Sequence, residues 1–284
     1  MDKEITQLKD NGFYLLKNVF SPSQIEEWRT QLVEYMSDKK NRCKNENGIT
    51  VKPDAINYPE FKSHLKIFEN LTLINFLKEA VGGTLKYAHH YDLHLGCQAS
   101  TLHHDGGIRH MNQIFKYPRQ KGWDDRKLRA YIKEKYNITY KELCGTDSWK
   151  EYANPRNEFN HKTLIRGEEM LAYRVGIYLQ DNTKGGGLYV LKGSHKKHAS
   201  DCSKVYVASE IGDVVIWDSR AWHAGEHHPN PNRGLIHMAF GKPNFLLDMY
   251  AEGHSNRLKN QNGADKYILS EDLKQVLNEM EILY

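Results

Sequence analysis

Between Leu171 and Phe240 the chain is cut into short apolar runs by clusters of Gly, Asn and Pro, and this punctuation limits the fold more than any other feature. Leu171 to Leu179 alternates, with Tyr173, Val175, Ile177 and Leu179 on one side. Leu188 to Leu191 and further runs at 204–208, 213–218 and 233–240 follow at short intervals. Many short strands at such spacing predict an antiparallel barrel or jelly roll. An earlier segment, TLKYAHHYDLHL at 84–95, has the same period. One face carries Leu85, Tyr87, Tyr91, Leu93 and Leu95, interrupted only by His89. The other carries Lys86, His90, Asp92 and His94, a polar face suited to lining a cavity.

Helices are expected to flank this β core. Ser21-Pro22-Ser23 is a helix-start signal, and Ile25, Trp28, Leu32 and Tyr35 then recur at helical spacing as a buried stripe. A helix precedes Gly12, another spans Ile67 to Ala80, and a capped one closes the chain from Ser270 to Leu283. The Lys/Asn/Gly/Pro-rich stretch from Asp38 to about Pro59 reads as a loop. At 284 residues the expectation is one mainly β domain, 1–284, with flanking helices. The interval 108–168, Lys/Arg-rich and strewn with aromatics, reads as a lid or substrate-binding insertion. Its rival is a helical excursion packed outside the barrel.

Several function classes fall away on composition. A net charge of +4 is too small and too dispersed to point to nucleic acid. No apolar stretch approaches the roughly 20 residues of a membrane span, and the start MDKEITQLKD lacks a signal-peptide apolar segment, so a cytoplasmic protein is expected. Cys43, Cys97, Cys144 and Cys202 are scattered, with neither a CxxC pair nor a disulfide framework. Oligomeric state is left open.

Chemistry concentrates elsewhere. His103 and Asp105 lie two apart, so on extended backbone both side chains reach the same side. His223 follows the apolar run Val214 to Trp217. Two imidazoles and a carboxylate on one face of an ion form the donor set of non-haem Fe(II) oxygenases, which leaves coordination positions open for substrate and oxygen. Arg233, ten residues beyond His223, offers a guanidinium that grips carboxylates bidentately, which suits a co-substrate with a free acid tail.

Other candidates weigh less. His104 should point away from its neighbours. Thr101 and His94 are candidate contacts to a co-substrate; Lys86, His90, Asp92 and His94 face either that molecule or the substrate, or else are hydrogen-bonded barrel residues. His237 shares strand parity with Arg233 and could face the cavity. His227 and His228 read as exposed, and Trp222 as packing. Gly185-Gly186-Gly187 is a turn, since no Lys-Ser/Thr leads into a helix as a phosphate loop requires. His195 has no accompanying G-x-S-x-G, so a hydrolase is rejected.

Four segments together resemble the phytanoyl-CoA dioxygenase family of Fe(II)- and 2-oxoglutarate-dependent oxygenases. They are Asp10 to Ser21 with the helix after it, Leu102-His103-His104-Asp105, Asp181 to Lys196, and Gly212-Asp213 to Arg233. The long 108–168 interval and the His-rich stretch around His223 depart from the family pattern. The resemblance implies a double-stranded β-helix, a cupin-like jelly roll, with iron held by His103, Asp105 and His223. It implies 2-oxoglutarate on that iron with its far carboxylate on Arg233, and oxygen-dependent hydroxylation with release of succinate and CO2. Asp105 favours hydroxylation, because related halogenases replace this ligand with a small residue. The expected substrate is a small, polar biosynthetic intermediate such as an alkaloid natural product. Acyl-CoA and phosphonate substrates are alternatives, and the rival from another class is a cupin-like metal isomerase or small-molecule binding protein.

Overall fold

A computed structural model describes residues 1–41, 43–44, 50–96, 99–105, 124–144, 172–228, 230–262 and 268–284. The first helix, α1 (Asp2–Asn11), ends at Gly12, whose φ of 80° closes the helix by a backbone bond to Leu8. β1 (Phe13–Leu16) follows directly, and α2 (Pro22–Ser37) opens on a capping box in which Ser21 and Gln24 satisfy each other's backbone. Ile25, Trp28 and Leu32 are buried as the periodicity requires, while Met36 rather than Tyr35 completes the stripe. Tyr35 packs half-buried at its rim.

The stretch read as a loop is only partly one. It contains β2 (Cys43–Lys44) and β3 (Thr50–Pro53), a hairpin that adds to the main sheet beside β4 (Leu85–Leu95). Turn residues dominate its composition and hide two strands this short. The single helix expected from Ile67 to Ala80 is two, α3 (Leu65–Phe68) and α4 (Leu71–Val81), because the Asn70 side chain caps the second helix at Leu73.

The larger sheet runs β1-β8-β5-β10-β4-β3-β2, with β5 at Ala172–Tyr178, β8 at Val214–Asp218 and β10 at Gly234–Gly241. Its pairs along this order are antiparallel. The smaller sheet is β7-β6-β9, made of Lys204–Val207, Leu188–Leu191 and His223–Gly225. These are the two facing sheets of a jelly roll. The chain ends in α7 (Phe245–Asn262), α8 (Glu271–Glu279) and β11 (Ile282–Leu283), which pairs parallel with β4. The terminal helix is therefore shorter than expected, because the last residues extend onto the sheet.

The two faces of the large sheet have opposite characters. The outer face, with Tyr87, Tyr91, Leu93, Tyr173, Val175, Ile177, Val214, Ile216, Ile236, Met238 and Phe240, packs on α1, α2 and α4 as the main core. Each such fully buried side chain contributes roughly 1.5–3 kcal/mol. On the inner face, Tyr178, Val215, Trp217 and Leu235 meet Leu188, Val190 and Val207 of the small sheet. At its other end Ala88, Ala172 and Ala239 are covered by α5 (Asp125–Tyr136), α6 (Tyr140–Cys144) and α7. Between these apolar patches lies a polar strip, and the candidate site is built on it.

Candidate metal centre

β8 delivers the chain into a tight turn, where Ala221 N–H donates to the Asp218 carbonyl at 2.9 Å. Arg220 locks the turn by gripping Asp218 with Nε at 2.8 Å and Nη2 at 2.6 Å, and both residues are buried. Burial alone would raise the Asp218 carboxyl, but the Arg220 guanidinium outweighs it and holds the pKa below the usual value. The turn then leads into β9 and His223. Segment 103–105 runs across this strand. His103 N–H donates to the His223 carbonyl at 2.9 Å, His223 N–H returns a bond to the His103 carbonyl at 2.7 Å, and Asp105 N–H reaches the Ser219 carbonyl at 2.8 Å. Main-chain bonds thus tie all three candidate ligands to one turn.

The ligand atoms of His103, Asp105 and His223 lie within 4.8 Å of one another. His223 Nε2 is 3.4 Å from Asp105 Oδ2, and His103 Nε2 is 3.9 Å from Asp105 Oδ1. Each imidazole also contacts a backbone carbonyl through Nδ1: His103 that of Thr101 at 2.6 Å, His223 that of Ala221 at 2.9 Å. A carbonyl only accepts, so Nδ1 must be the protonated nitrogen in both rings. In the neutral rings the two Nε2 lone pairs then point at the carboxylate, an arrangement suited to a cation between them. Two imidazole nitrogens and a carboxylate oxygen suit a divalent first-row metal such as iron.

The polar strip surrounds this cluster. Trp217 lies flat against Gly176, stacks on His237 at 5.3 Å and touches the His223 ring, also at 5.3 Å. His237 faces inward as strand parity allowed, and burial, then the nearby Arg174, depress its pKa well below the ordinary value. His94 and His90 each meet His237 edge to face, and His90 stacks on His254. Arg174, 1% exposed, reaches Asp105 Oδ2 with Nε at 3.0 Å.

The secondary candidates sort clearly. Arg233 is buried beside Gly225, its Nε donating to the Gly186 carbonyl at 2.8 Å and its guanidinium over the Tyr178 ring. The Gly185-Gly186-Gly187 turn thus seats Arg233. Thr101 has an exposed side chain, and its carbonyl orients His103. His104 turns away onto Trp222, as expected of its parity. His227 is exposed, whereas His228 is half-buried against Gly186. His195 is structural, with Nε2 on the Lys9 carbonyl and its ring against Gly12. Of the 108–168 interval only 124–144 is described, and there α5 and α6 pack with α7 over the Ala88, Ala172 and Ala239 end of the large sheet's inner face; the lid expectation for the remainder lies outside the described residues.

Arg174 and His254 escaped the sequence reading. Alternation in β5 put Tyr173 and Val175 on the core face and so left Arg174 opposite, but one strand does not say what lies opposite. His254 sits on a helix without a clear amphipathic stripe.

No protein-family model matches the chain, and no curated protein is similar to it in sequence. Solved structures do match. The non-heme alpha ketoglutarate dependent epimerase SnoN from nogalamycin biosynthesis aligns with a TM-score of 0.55 at 11% identity, over 85% of this chain and 82% of that one. SnoK, a non-heme alpha ketoglutarate dependent carbocyclase from the same biosynthesis, aligns with a TM-score of 0.55 at 14% identity, over 85% and 84%. HygX from Streptomyces hygroscopicus, solved with nickel and 2-oxoglutarate bound, gives 0.53 at 14% identity, over 85% and 87%. The likeness is one of fold: this chain has the jelly-roll architecture used by non-haem, 2-oxoglutarate-dependent enzymes. Among the described residues no helix is long and apolar enough to cross a membrane.

Proposed function

We propose that this chain is an Fe(II)- and 2-oxoglutarate-dependent dioxygenase, of the phytanoyl-CoA dioxygenase type, that hydroxylates an unactivated C–H bond of a small polar biosynthetic intermediate. The observation that carries this reading is the pair of imidazoles whose Nδ1 hydrogens are engaged by backbone carbonyls, so that both Nε2 lone pairs face one carboxylate. Bound iron would supply oxygen activation coupled to decarboxylation of 2-oxoglutarate.

The protein's own groups then have defined tasks. His103, Asp105 and His223 would hold the ion, a donor set that leaves positions for exchangeable ligands. Arg233, held by the Gly186 carbonyl and lying on Tyr178, presents its remaining N–H groups to the far carboxylate of 2-oxoglutarate. Burial of Arg233 strengthens that contact by removing competing water. Trp217 walls the His223 ring, and Thr101 orients His103. His94, beside His237, borders the same space on the polar strip.

The polar inner strip favours a substrate with hydrogen-bonding groups over a fatty acyl thioester. SnoN is an epimerase and SnoK a carbocyclase on a similar fold, so product identity is part of the test. Purified protein is incubated with Fe(II), 2-oxoglutarate, oxygen and a panel of polar natural-product precursors, with succinate and product mass followed together. Succinate formation with a 16 Da gain on one substrate supports hydroxylation; an unchanged or 2 Da lighter product assigns epimerisation or ring closure instead. No succinate with any substrate favours a metal isomerase or binding protein.

A further inference from the structure

Behind Asp105 lies a buried chain of charged groups that the proposed ligand set does not use. Arg174 sits on β5 opposite Trp217 of β8 and Ala239 of β10. Its Nε is 3.0 Å from Asp105 Oδ2, its Nη1 contacts His90 Nδ1, and its Cζ lies 5.1 Å from the Tyr250 ring centre. A guanidinium only donates, so His90 Nδ1 is the acceptor and the imidazole proton is on Nε2. That Nε2 is 3.1 Å from Asp92 Oδ2, and Asp92 is itself buried. The order is carboxylate, imidazole, guanidinium, carboxylate, ending at the candidate metal ligand.

The sequence produces this row locally. β4 carries two residues more than β10 between the pairs Tyr91–Met238 and Tyr87–Phe240, with His89 at a φ of 51°. The bulge keeps the alternation of β4, so His90 stays on the inner face with Asp92, where its ring contacts Arg174. His254 stacks on the His90 ring at 4.1 Å and His237 meets its edge at 4.8 Å, so the imidazole is held from both sides.

We propose that Arg174 is the positioning residue of the metal centre, acting through Asp105. By engaging Oδ2 it leaves the carboxylate to offer the metal one oxygen, Oδ1, rather than two, which keeps a further coordination position for exchangeable ligands. His90 and Asp92 hold the guanidinium in that orientation. A carboxylate without such a partner can rotate and chelate through both oxygens. This inference rests on the metal-centre reading above, and it adds a role for residues outside the ligand set.

The test uses the metal-free protein titrated with Co(II), whose visible absorption reports coordination number, with circular dichroism as the check on folding. Wild type should bind one Co(II). Arg174→Gln should bind it roughly ten- to hundredfold more weakly and with a changed spectrum. Guanidinium salt added to Arg174→Ala should restore the wild-type spectrum, a rescue that general destabilisation would not produce. Wild-type affinity and spectrum in Arg174→Gln would overturn the proposal. If the Arg174 variants do not fold, Asp92→Asn carries the test: a few-fold weaker affinity with an altered spectrum supports the proposal, and wild-type behaviour overturns it. Failure of wild type itself to bind Co(II) better than Asp105→Ala would overturn the metal-centre reading, and this inference with it.

Discussion

His103 and His223 exchange both backbone hydrogen bonds, at 2.9 and 2.7 Å, although about 120 positions separate them in the chain. Their rings are 4.5 Å apart as a result. The spacing of the two imidazoles is thus set by main chain, which moves far less readily than a side-chain rotamer. What remains adjustable is the carboxylate between them and the aromatic wall beside them.

Gly176 lets Trp217 lie against the sheet: a Cβ there would meet Trp217 Cζ3 at 3.0 Å and Cη2 at 3.3 Å. Gly176→Val should push the indole toward His223 and His237, at a cost of about 1–3 kcal/mol in stability. Thermal unfolding with and without Ni(II) measures both effects, and the stabilisation by metal should shrink in the variant. Equal metal stabilisation in the two proteins would show that Trp217 does not support the ligand.

Arg233→Lys keeps a positive charge but loses the fork that grips a carboxylate. The requirement for 2-oxoglutarate should rise roughly tenfold or more, a loss of about 1.4 kcal/mol or more, with Fe(II) affinity little changed. Titration of 2-oxoglutarate into metal-loaded protein decides it, and an unchanged requirement would remove Arg233 from the co-substrate site.

Glu252 accepts hydrogen bonds from Tyr131 and Tyr136 and an ion pair from Lys135, joining α5 to α7. Glu252→Ala strands these donors and should cost about 1–3 kcal/mol locally. Hydrogen exchange should rise across 125–136 while metal binding persists. Loss of metal binding in this variant would mean that α5 also shapes the metal centre.

Burial in the core pushes the His64 imidazole down to about 3. Its unfolded value is near 6.5, so between about 6.5 and 3 the unfolded chain holds a proton that the folded one does not. Stability from keeping this ring neutral is complete above pH 6.5 and falls with pH by up to about 1.4 kcal/mol per unit. His64→Gln should be less stable at pH 7 yet lose less on acidification, and melting temperatures from pH 7 to 4 test the slope. Parallel curves would assign acid lability elsewhere.

The parts of this molecule legible in its sequence are those set by local period. Alternation placed Tyr87, Tyr91 and Leu93 on the core face of β4 and His90, Asp92 and His94 on the other, and the two-residue offset of His103 and Asp105 put both on one side. Turn chemistry likewise marked Gly185 to Gly187, though not its task of seating Arg233. What stayed hidden depends on partners distant in sequence. Arg174 gains meaning only from the register that sets it beside Trp217 and Ala239, and from a bulge in β4 that no propensity announces. The β11 pairing with β4 and the β2–β3 hairpin are short additions to an existing edge, stabilised by that edge rather than by their own residues.

In the proposed function His103, Asp105 and His223 form one iron site that also receives 2-oxoglutarate beside Arg233. Anaerobic addition of Fe(II) and 2-oxoglutarate, followed by visible absorption, tests it most directly. The account predicts a weak charge-transfer band in wild type that is absent in Asp105→Ala. No band in wild type, or an undiminished band in Asp105→Ala, would contradict it.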